Sequence, residues 1–198
     1  MTTYSSLKYN HPFSSNATGT GSLTLISSQT ASASASISFT SGIDSTYDEY
    51  IFKFINIHPS TDNVNFEFNM STDNGSNYNV TKTTTFFQAQ QSESGTGDSL
   101  DYVTSKDLAQ STSYQIIGDG VGNDNDESTS GYLHLFNPSS TTFIKHFIAS
   151  ANDYYYNNYT LNKYVAGYAN TSSQINSIDF KFSSGNIDDG TILMYGVK

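Results

Sequence analysis

From Gly21 onward apolar and polar residues alternate with period two in segment after segment. Residues 22–28 make a first strand, and residues 31–41, "ASASASISFTS", a second with Ala31, Ala33, Ala35, Ile37 and Phe39 on one face. Strict alternation places one face in a core and the other in water, and the small residues predict close packing there. Residues 47–57 set Tyr50, Phe52 and Phe54 against Ile51, Lys53, Ile55 and Ile57, as a central strand does, and His58-Pro59 ends it. In residues 64–70, Val64, Phe66, Phe68 and Met70 point inward, and Asn65, Glu67 and Asn69 outward. Asn74-Gly75 predicts a hairpin whose returning strand covers residues 80–89. Residues 131–137, "TFIKHFIA", "LNKYVAGYA", "INSIDFKF" and the final "TILMYGVK" complete the series.

Turn signals punctuate the chain, and no amphipathic helix interrupts it. The expected fold is all-β: an antiparallel, jelly-roll-like β-sandwich of about ten strands. It covers residues 21–198, behind a short irregular N-terminal arm, residues 1–20. The arm lacks strand periodicity, but Tyr4, Leu7, Tyr9 and Phe13 make it too apolar for an idle tail and mark it as an anchor. In the least regular part, residues 90–127, long surface loops are expected, with a single helical turn at "SKDLAQ" and a short strand at "YQIIG".

Composition narrows the possible partners. All eight basic residues are Lys, and the net charge is −10. A nucleic-acid backbone or an anionic membrane would be repelled, and bidentate Arg readout has no residue to perform it. No nucleic acid and no membrane insertion are expected. The absence of Cys excludes disulfides and thiolate metal sites. No apolar stretch resembles a signal peptide, so release by the ordinary secretory route is not expected.

Candidate chemistry is sparse. His134 and His146 fall on consecutive strands, but two imidazoles without a supporting shell make no metal site. "GDGVGNDNDE", residues 118–127, is the best cation candidate through Asp119, Asp124 and Asp126, since Ca²⁺ takes six to eight oxygens. It lacks the EF-hand pattern, and a solvated loop without bound metal is the reading preferred. Asp188-Asp189 lie too close in sequence for the two carboxyls of a glycoside hydrolase and instead suit a turn. No catalytic residue and no cofactor are expected. "DYYYNNY" offers Tyr154, Tyr155, Tyr156 and Tyr159 for either a glycan or a subunit contact, with Tyr155 facing opposite to its neighbours.

The stretch "FTSGIDSTYDEYIFKFINIHPSTDNVNFEFNMSTDNGSNY" and the ending "INSIDFKFSSGNIDDGTILMYGVK" resemble virion structural proteins of tailed bacteriophages, especially marine ones. The shared features are the Pro-containing turn, the Asp-Asn-Gly turn, Ser184-Gly185-Asn186-Ile187 and the terminal Leu193-Met194-Tyr195-Gly196. The resemblance implies a non-enzymatic protein on the particle exterior, either a tail-fibre or appendage module or a head decoration. Its expected partners are itself, as a homotrimer, and other virion proteins. The alternative is a glycan-binding adhesin that recognises host-surface sugars.

Overall fold

A computed structural model describes residues 23–198. The described residues form twelve strands and one 3₁₀ turn, Thr104–Lys106. The strands are β1 (Thr24–Thr30), β2 (Ile37–Phe39), β3 (Glu49–Pro59), β4 (Val64–Ser71), β5 (Lys82–Ser92), β6 (Ser99–Tyr102), β7 (Gln115–Val121), β8 (Thr129–Phe136), β9 (Lys145–Tyr155), β10 (Tyr159–Ala169), β11 (Ser177–Phe182) and β12 (Ile187–Val197). All pairings are antiparallel. One sheet runs β1-β12-β3-β8-β9-β10-β5-β6, and a smaller one runs β7-β4-β11-β2. They face each other as a sandwich and are joined at one corner by the single pair Val121↔Tyr155. The result is the expected antiparallel sandwich, closed almost into a barrel.

Aromatic rings fill the space between the sheets. Phe180 of the small sheet contacts Phe52 and Phe54 of the large one at 5.5 and 5.2 Å between ring centres, and Phe68 meets Phe147 edge-on at 5.1 Å. All five are 0–2% exposed, and complete burial of such a side chain contributes about 1.5–3 kcal/mol. The inward set Val64, Phe66, Phe68 and Met70 is as the alternation predicts. Asn69 departs from it: it is fully buried, and its amide donates to the carbonyls of Tyr78 and Thr112. Ile57 also departs from strict alternation. Asn56 sits at φ +50° in a bulge that breaks the β3–β8 register between Phe54 and Ile57, turning Ile57 into the core.

Three further expectations are corrected. Residues 31–36 are not a strand with buried alanines. Ala33 takes φ +51° and, like Ala35, is exposed, while Ala31 alone is buried. The segment carries the chain from β1 across to β2 in the other sheet, bonded to Ile187, Asp188 and Gly190 as it passes. Its small residues serve that close crossing. Second, Asn74 and Gly75 do turn, both at positive φ, but β4 and β5 do not pair and belong to different sheets. The turn is held instead by Asp73, whose carboxylate accepts from Ser71 and Asn77; those bonds lower its pKa to about 2. Third, residues 90–127 are not only surface loops. The short strand expected at "YQIIG" is present as β7, longer than expected and inner-facing with Gln115, Ile117 and Val121 buried; β6 is not expected, and the 3₁₀ turn falls at the start of "SKDLAQ".

Candidate functional site

The outer face of the large sheet is the most apolar exposed surface among the described residues. Alternation fixes its membership: β9 turns Phe147, Ala149 and Ala151 inward, so His146, Ile148 and Ser150 point out. Register then aligns rows across the strands. One row reads Tyr102, Phe87, Tyr164, Ser150, Tyr132 and Lys53. The next reads Ala166, Ile148, His134, Ile51, Tyr195 and Leu25. Phe87 and Tyr164 stack at 4.9 Å and 15°, yet each is about two-fifths exposed, and Ile148 is half exposed.

His134 and His146 both belong to this face. His134 Nδ1 hydrogen-bonds Glu49 Oε1, and His146 meets the edge of Tyr168 at 6.2 Å. Asp119, Asp124 and Asp126 do not converge. Asp119 is taken by Lys106 at 2.5 Å. The backbone of Asp124 closes a tight turn with Glu127, and Asp126 lines an open polar recess of about 510 Å³ with His58, Asp188 and Asp189. Among the described residues, no three His, Asp or Glu side chains are grouped so as to hold a metal. The glycines of that stretch have a structural task. A Cβ on Gly120, which sits at φ +64°, would lie 2.1 Å from the Tyr155 ring.

Tyr154 and Tyr155 face opposite ways, as the period-two pattern predicts, but Tyr156, just past the end of β9, packs against Tyr155 and does not follow that pattern. Tyr154 donates to Glu93 and lines a recess of about 330 Å³ on one side of the β9–β10 hairpin. Tyr155 lies on the other side, in a recess of about 250 Å³ with Tyr159, Gln88, Gln90, Asp119 and Asn157. Burial there pushes the Tyr155 hydroxyl up to about 12. Tyr156 leans on Tyr155 at 4.6 Å, and Tyr159 meets it edge-on at 6.3 Å. Gln88 Oε1 is buried without a hydrogen-bond partner among the described residues. Tyr4, Leu7, Tyr9 and Phe13 lie outside the described residues.

The sequence reading missed a buried polar seam where β7, β8, β9 and β10 meet. Lys163 and Asp153 are both fully buried and ion-paired. Asp153 also accepts from Thr129 Oγ1 and the Asp119 amide, and Lys163 donates to the Asp119 carbonyl at 3.0 Å. Lys82 and Lys145 are fully buried as well, bonded to Asn69 and to the Thr171 carbonyl. The signal was available: Lys163 shares parity with Leu161 and Val165, and Asp153 with Phe147 and Ala151.

Comparison with known proteins gives no matching family model, curated relative or solved structure.

Proposed function

We propose that this chain is a non-enzymatic building block on the exterior of a tailed-phage virion, a fibre or appendage module or a head decoration, that associates with copies of itself and with other virion proteins. The observation that carries this reading is the contrast between a spent interior and an open face. Three of the carboxylates set into the fold are committed: Asp153 to Lys163, Asp119 to Lys106, and Asp179 to Ser38 and Tyr114. The large sheet meanwhile presents rows of aromatic and aliphatic groups to its surroundings, a surface composition enriched at protein interfaces. The resemblance of the two quoted segments supplies the setting. Peptide mass spectrometry and immunogold labelling of purified particles test it. The protein is expected in intact virions and accessible to antibody; its absence from particles, or an internal position, overturns the reading.

A second reading, host-glycan binding, is favoured by the recess holding Tyr155 and Tyr159. Ring faces suit the apolar face of a sugar, while Gln88 and Gln90 offer hydrogen bonds to its hydroxyls. Glycan-array binding that disappears in Tyr159→Ala and Gln88→Ala supports it; unchanged binding in both variants refutes it.

A further inference from the structure

We infer that the outer face of the large sheet is the surface on which copies of this chain meet. The inference deepens the assembly reading above by naming the contact and its occupant.

Area is the first argument. Eight strands spaced about 4.8 Å apart, each contributing a length of roughly six residues at about 3.3 Å, span some 40 by 20 Å. That is about 800 Å² per partner, the amount a stable, specific interface contributes from each side. Composition is the second. Tyr132, Tyr164, Phe87, Tyr102, Ile148 and Leu25 are 39–57% exposed in one continuous band. Aromatic residues of this kind supply the binding energy of interface centres, because rings bring large contact area at low conformational-entropy cost. A shallow hollow of about 510 Å³ beside Phe136, Ile148, Ala166 and Tyr168 interrupts the band and can seat a side chain from across the contact.

Charge selects the partner. The chain carries −10 overall, so two copies repel over most approaches. In the two middle rows and the adjoining Glu49 position, only Lys53 and Glu49 bear formal charge among the described residues, and Glu49 is bonded to His134. Here like molecules meet without stacking like charge on like charge. A strongly basic partner would instead be drawn to the acidic recess of Asp126, Glu127, Asp188 and Asp189. The face is also free of exposed backbone: its strands are paired on both sides except at β1 and β6, so contact is through side chains and does not propagate as an open edge.

The test compares full-length wild type with the double variant Ile148→Glu/Tyr164→Glu by light scattering at micromolar concentration. Wild type is expected at a multiple of 21.6 kDa and the variant at 21.6 kDa, with the same circular dichroism. A wild type that is monomeric, or a variant that stays assembled, overturns the inference. A deletion of residues 1–18 is expected to remain assembled; dissociation would show that the arm, not the face, holds the copies. Should the double variant fail to fold, a photo-crosslinking residue at Tyr132 decides the matter. It should join copies through β8, β9 and β10, whereas monomer bands alone, or crosslinks mapping elsewhere, exclude the face. Association by another surface, with the protein still present in virions, would defeat this inference and leave the proposed function standing.

Discussion

At the scale of single residues, the unusual feature is how many lysines the core takes in. Desolvating an ammonium and a carboxylate costs several kcal/mol each, so Lys163 and Asp153 persist only because each saturates the other together with Thr129 and the Asp119 backbone. Replacing one partner strands the other. Lys163→Met should therefore destabilise the protein by about 3–5 kcal/mol in urea unfolding, whereas Lys163→Met/Asp153→Leu should recover most of that loss. Lys82 makes a different prediction, because burial lowers its pKa to about 7 from an ordinary 10.5. Below pH 7 the folded and unfolded chains both carry the proton, and the burial penalty is present in full. Between the two values the unfolded chain keeps a proton that the folded chain has released, so stability climbs with pH. Lys145 shifts in the same direction. Above about pH 10 the sign reverses, because buried Tyr50 and half-buried Tyr78 and Tyr114, each desolvated by the fold, hold their protons longer when folded. The melting temperature should rise from pH 7 to about 9.5 and fall beyond 10. Lys82→Met should flatten the rise.

Among the elements, β12 occupies the most connected position of any strand near a chain end. It pairs with β3 along one side and β1 along the other, burying Ile192 and Met194 while Leu193, Tyr195 and Val197 line the outer face. A chain cut after Gly190 loses both anchors and separates β1 from the rest of its sheet. Two buried anchors at about 1.5–3 kcal/mol each, with the backbone bonds beside them, rival the whole stability of a domain. The truncated chain is expected to be insoluble or to melt many degrees lower; an unchanged melting temperature in calorimetry would contradict this placement. Strands of this kind were legible because alternation and aromatic content point the same way in β3, β4 and β9. The segment at residues 31–36 was misread for a physical reason. Ala and Ser alternate as well in a close-packed crossing as in a strand, and period two alone does not distinguish them. Only the first half of β7 was legible, as "YQIIG"; its continuation was obscured because glycine and aspartate carry loop signals, although here Gly118 and Gly120 make room for Asp153 and Tyr155.

For the molecule as a whole, class and architecture were legible, and pairing was not. Nothing local in Asn74-Gly75 tells β5 to leave β4 and join β10; that choice is made by which faces the two sheets must bury together. The site was legible in part. The tyrosines were found from composition, but the outer face emerges only when six strands are set in register. The arm remains tied to assembly as a proposal. Deleting residues 1–18 should leave the circular dichroism and melting temperature of the sandwich unchanged while abolishing incorporation into particles; full occupancy of the deleted form would exclude an anchoring role. The place of β12 has a consequence in time as well as in space. β1 is made early, yet Thr30 finds its partner Thr191 across a separation of 161 residues. Until β12 is synthesised, β1 has no strand to join, and the large sheet cannot be completed from either side. Closing so long a loop before any reward arrives slows folding into the millisecond-to-second range or beyond. Stopped-flow refolding should show a slow dominant phase, and substitutions in β12 should retard it more than equally destabilising ones in the β9–β10 hairpin.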